Sequence, residues 1–198
     1  MRVKERSFTA QARRAQIVAA AIETIAELGF SQASFARIAE RAGLSSTRLI
    51  SYHFAGKKEL IEQVIAEVYQ EIGTFMGERV QAQTTATGAL HAYLESYLEF
   101  VAGHRTQMKA LLAIFLSGGL DYDPADQEVQ TLSPIEAILR DGQKAGEFRD
   151  FDTRVMAATV QRSLDGIPMM LETYPDLDLD TCARELVTLF DLGLGKPR

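Results

Sequence analysis

Tryptophan is absent from this 198-residue chain, cysteine occurs once and histidine three times. The single cysteine, Cys182, excludes an intrachain disulfide framework and fits a reducing compartment. It is expected as a small buried helix residue. His53, His91 and His104 are far apart, and none stands in an i, i+4 metal pair, an HExxH pattern or a Cys/His pattern. A phosphate-cradling glycine loop and a GxSxG elbow are both missing. These absences argue against an enzyme, a cofactor and a metal centre. No apolar run approaches the ~20 residues that span a bilayer. No N-terminal signal pattern occurs either, so a cytoplasmic protein with no membrane partner is expected. Strand patterns and internal repeats are not found.

What the chain does have is charge, unevenly placed. Residues 1–58 hold ten Lys/Arg against four Asp/Glu, a balance of +6. Residues 59–198 hold eleven against twenty-three, a balance of −12, and together they give the net −6. A basic N-terminal quarter on an acidic body suits a nucleic-acid-binding head on a body with another task. Residues 1–8 are expected as a flexible basic arm, with Arg2, Lys4 and Arg6 able to reach phosphates or a minor groove.

Helical periodicity dominates the rest. Ile17, Ala21, Ile25 and Leu28 share one face of a first helix, which Gly29 ends. Phe35, Ile38, Ala39 and Ala42 mark a short second helix, with Ser34 placed to cap it. Gly43 can turn with positive φ at no steric cost. Ser45 is expected to cap a third helix over residues 46–52, with Leu49, Ile50 and Phe54 in the core. Two short helices joined by a glycine turn form a helix-turn-helix, whose second helix can enter the major groove. Arg13 and Arg14 are expected as surface cations beside it. Arg48 suits guanine, because its fork can bond O6 and N7 together.

Three stretches carry a resemblance: IVAAAIETIAELGF (17–30), SFARIAERAGLS (34–45) and YHFAGKKEL (52–60). On these the chain resembles the TetR (TetR/AcrR) family of transcriptional regulators, specifically over residues 10–60 and only in architecture beyond. From Gly43 to Phe54 it has one residue more than the family's usual spacing, and Ser51 stands where a tyrosine is usual, with Tyr52 following. The resemblance implies an all-α fold, with a three-helix DNA-binding head at 1–56 and a six-helix ligand-binding and dimerisation body at 57–198. It implies a DNA-contacting set of Ser34, Arg37, Ser45, Ser46, Thr47, Arg48, Ser51, Tyr52, His53 and Lys57.

In the body, a long helix over residues 58–80 connects onward, followed by a polar linker at 81–87 and helices at 88–104 and 106–116. An acidic loop is expected at 121–131. Ser133-Pro134-Ile135-Glu136 reads as a helix start with a capping box. Helices at 152–173, kinked at Pro168, and 180–192 complete the chain. Tyr93, Tyr97, Phe100, His104, Met108, Phe115, Met156, Met169 and Met170 offer the aromatic and soft apolar lining that a small-molecule site uses, and each also suits plain core. The last two helices are expected to join two subunits, so that two heads read a near-palindromic operator in double-stranded DNA. The resulting expectation is a repressor released from DNA by an apolar or amphipathic ligand of unknown identity. The alternative is a ligand-independent regulator controlled by abundance or by a protein partner.

Overall fold

The computed structural model describes residues 2–118 and 124–196. Among the described residues there are nine helices and no strand: α1 (Arg2–Leu28), α2 (Phe35–Arg41), α3 (Arg48–His53), α4 (Lys57–Gln81), α5 (Ala86–Gly103), α6 (Arg105–Leu116), α7 (Pro124–Ala145), α8 (Thr153–Thr173) and α9 (Leu179–Leu194). None of them is long and apolar enough to cross a membrane. The expected all-α class and the nine-helix order are therefore seen directly.

The helices divide into two compact units. One unit holds α1–α3, α4 as far as Gln70, and α6; the other holds α4 from Glu71, α5 and α7–α9. The first unit has a continuous apolar core. Ile17, Val18, Ala21 and Ile25 of α1 meet Ile38 of α2, Ile50 of α3, Phe54, and Leu60, Ile61 and Val64 of α4. Ala110 and Ile114 of α6, both wholly buried, complete that core. The buried face of α6 thus packs in the core of the first unit. In the second unit α7 packs on α8 and α5 packs on α9. Leu90, Leu94 and Val101 of α5, Val160 and Leu164 of α8, and Phe190 of α9 fill its interior.

Local chemistry explains most boundaries. Gly29 and Gly43 turn at φ +81° and +64°, as a helix end and a tight turn require. Ser34 caps α2 by accepting from the Arg37 N–H, and Asp152 and Asp178 cap α8 and α9 in the same way. Three expectations fail. The backbone of residues 2–8 continues α1 instead of forming a separate arm, and the side chains of Arg2, Lys4 and Arg6 lie outside the described residues. Of the expected acidic loop, residues 121–123 lie outside the described residues and 124–131 already belong to α7. Ser133 does not start a helix: its hydroxyl donates to the Val129 carbonyl at 2.6 Å, within α7, and Pro134 sits inside that helix.

Candidate nucleic-acid interface

The Gly43 turn sets the geometry. The Gly43 N–H donates to Glu40 O and the Leu44 N–H to Ala39 O at 2.8 Å, so α2 closes tightly before the chain reverses. The start of α3 differs from expectation. Thr47 occupies the cap position in a helical conformation without a side-chain bond, and Ser46 Oγ accepts from the Arg48 N–H at 3.1 Å. Ser46, not Ser45, thus supplies the side-chain acceptor at the start of α3, one residue before its cap. The helix itself starts at Arg48.

On α3, Ile50 is wholly buried and Phe54 nearly so. Arg48 and Tyr52, one turn apart, point to solvent together with Thr47 and Ser51. Tyr52 is 82% exposed, and its ring meets His53 edge-on. Leu49 was expected in the core, but it keeps 37% of its surface open. Among the described residues no hydrogen bond or ion pair engages the Arg48 guanidinium. Ser34, Arg37, Ser45 and Ser46 are exposed as well, and His53 is half-buried.

Two cations play parts that the sequence did not reveal. Arg14 is not a free surface charge. It donates to the His53 carbonyl, lies 3.4 Å from Glu59 Oε1 and 3.3 Å from Gln63 Oε1, and stacks 4.2 Å over the Phe54 ring. It therefore ties α1 to the end of α3 and the start of α4. Glu59 in turn accepts from the Ala55 N–H at 2.6 Å, and that bond first, then Arg14, holds its carboxyl below the usual range. Lys57 donates to the Phe30 carbonyl at 2.9 Å and sits over the Phe30 ring, and burial lowers its pKa. One of its three ammonium donors is thus used inside the head. The Arg14 cluster, spanning residues 14 to 63, leaves no local signal in the sequence.

The residues assigned to a ligand site disperse. Met108 and Phe115 lie on α6, in the first unit. In the second unit, Phe100 stacks on His104 at 3.9 Å, with Phe75 edge-on to both. Tyr93 donates to Gln161 Oε1 at 3.2 Å, and Gln161 donates to Asp165 at 2.7 Å. Burial, then the Asp165 charge, pushes the Tyr93 hydroxyl up to about 12. Tyr97 is buried and Met156 half-buried, whereas Met169 and Met170 are exposed on the outer surface of α8 and do not turn inward. Among the described residues no group of three His, Cys, Asp or Glu side chains is arranged to hold a metal ion.

Residues 17–64 match the model of the tetR family of bacterial regulatory proteins. The chain is 32% identical over 104 residues to the HTH-type transcriptional regulator BetI 1 of Chromohalobacter salexigens, covering 52% of this chain and 51% of that one. It is 33% identical over 107 residues to BetI of Escherichia coli K12, covering 53% and 54%. The chain thus spans about half the length of the curated relatives it matches. Among solved structures, a candidate regulator from Saccharomonospora viridis in complex with choline shares the fold at a TM-score of 0.80 and 22% identity, over 94% of this chain and 99% of that one. The regulator FadR of Bacillus subtilis, in complex with stearoyl-CoA, shares it at a TM-score of 0.73 and 22% identity, over 88% and 95%.

Proposed function

The chain belongs to the tetR family of bacterial regulatory proteins through residues 17–64, and on that premise we propose that it is a homodimeric, sequence-specific DNA-binding transcriptional regulator. The reading makes it a repressor that leaves its operator when a small apolar or amphipathic ligand binds the body. The observation that carries it is the outward row of Arg48 and Tyr52 on the helix after the Gly43 turn, within a basic N-terminal segment. Arg48, whose guanidinium is unengaged among the described residues, is the guanine reader. Tyr52, His53, Ser34, Ser45, Ser46, Arg37 and the two remaining donors of Lys57 serve phosphates, which set affinity and register more than sequence.

A dimer has support in the exposed apolar groups of the last two helices. Val155, Met169 and Met170 on α8, and Leu189 and Leu192 on α9, are open to solvent in the single chain. Pairing α8 and α9 across a twofold axis covers them as a four-helix interface. Two heads then read half-sites roughly 34–36 Å apart, or a multiple of that. Stearoyl-CoA, bound by one of the two solved structures that share the fold, joins an apolar chain to a charged head, which fits a ligand of the same amphipathic kind here; choline, bound by the other, is a small cation. Such a ligand acts only through its differential affinity for the DNA-free arrangement.

The test is a salt-dependent titration against random duplex DNA, with the bound fraction sequenced. A near-palindromic consensus, with log affinity falling steeply against log salt, is the expected result. Weak binding without a consensus would sink the regulator reading.

A further inference from the structure

We propose that Leu49 is a specificity-determining residue that packs on the C5-methyl group of one thymine in each half-site. This rests on the reading of α3 as the helix that enters the major groove.

Ile50 and Phe54 define the buried side of α3, and Arg48 and Tyr52 define the outward side. Leu49 follows Arg48 directly and lies at the margin of that outward row, with 37% of its surface open. Its neighbours on the outward face are all polar or amphipathic: Thr47, Arg48, Ser51 and Tyr52. Leaving an isobutyl group open to water forgoes hydrophobic stabilisation in the free protein, and docking on an apolar partner recovers it. The major groove offers one such partner on its base edges, the thymine methyl; the phosphates and the other base edges present donors and acceptors. The occupant follows from this continuity. A half-open apolar side chain beside an unpartnered arginine, on the face that meets base edges, matches a thymine next to the base that Arg48 reads.

The experiment uses the full-length protein and the consensus from the random-duplex selection. Each consensus thymine is replaced in turn by deoxyuridine, which removes only the methyl group. Wild type is expected to lose roughly four-fold in affinity per half-site at one symmetric thymine, the effect of about one buried methylene. Leu49→Ala should lose its response at that thymine alone, and Leu49→Met should keep it. A wild type indifferent to every deoxyuridine overturns the assignment with no variant needed. The same holds if Leu49→Ala retains the wild-type profile. In both cases binding to the consensus persists, so the regulator reading survives; absence of any consensus overturns both together.

Discussion

At the scale of single residues, charge in the head divides into what points outward and what holds the head together. Arg14 is the clearest internal case. Its planar fork bonds the His53 carbonyl and the Glu59 and Gln63 side chains while its face covers Phe54. Arg14→Ala should destabilise the protein by on the order of 2 kcal/mol in denaturant unfolding, since hydrogen bonds to charged groups are the strong ones. Arg14→Lys should restore little, because a point charge cannot replace the fork; full rescue by lysine would mean that charge alone matters. Lys57 is shared between both uses. Lys57→Ala should lower the melting temperature through the lost Phe30 contacts and reduce the salt slope of DNA binding by about one unit. A lower melting temperature with an unchanged slope would assign Lys57 to the head's interior alone.

At the scale of elements, some helix ends are fixed by neighbours distant in sequence. Glu147 follows α7, yet its carboxylate accepts from the Ala86 and Thr87 N–H groups at 3.0 and 2.8 Å and so caps α5. Those bonds, the Thr87 N–H first, hold its carboxyl below the usual range. A depressed folded value means that the stabilisation is complete above the unfolded pKa of about 4.3 and is lost as pH falls through the lower folded value. Glu147→Gln should therefore melt earlier than wild type at neutral pH, with the gap closing on acidification. A gap that stays constant down to about pH 3 would show that the charge is not responsible. Gly142, one turn earlier, lets this corner pack, because a methyl group there would overlap the Phe148 ring and press on Ala86. Gly142→Ala should cost about 1–3 kcal/mol by overpacking, read from thermal unfolding; a neutral or stabilising effect would show that Phe148 moves freely. The sequence showed Gly29, Gly43, Ser34 and the apolar face of α1, because those signals are local and periodic. It did not show the Glu147 cap, the Arg14 cluster or the place of α6, because each depends on which distant helix lies opposite. Ser133-Pro134-Ile135-Glu136 misled for the same reason: a start motif says nothing about whether the preceding residues are already helical. Leu49 misled because it adjoins Ile50, which is wholly buried, yet lies at the margin of the buried side of α3 and keeps part of its surface open.

At the scale of the whole molecule, the proposed function depends on a second copy of the chain. Leu192 is 81% exposed and Leu189, one turn before it, is 58% exposed, so α9 shows solvent an apolar strip that its own unit leaves uncovered. Val155 and Met169 on α8 are open to solvent as well, and apolar groups left open in such number mark a contact surface. If the strip is the dimer seam, Leu192→Asp places two like charges across the twofold axis, because an isologous contact repeats every substitution. The variant should sediment as a monomer while keeping its helical content and melting cooperatively. Its DNA binding should change in a specific way. A single head contacts one half-site, so affinity for the full operator should drop towards that for half an operator, and the salt slope should fall by about half, in proportion to the phosphates contacted. A variant that remains dimeric with an undiminished slope would move the seam away from α9, and the twofold operator would then need another source of symmetry. Half-slope binding by the monomer would show that each head is competent alone and that the body's part is to set the distance between heads. A ligand in the body would then have only to change that distance.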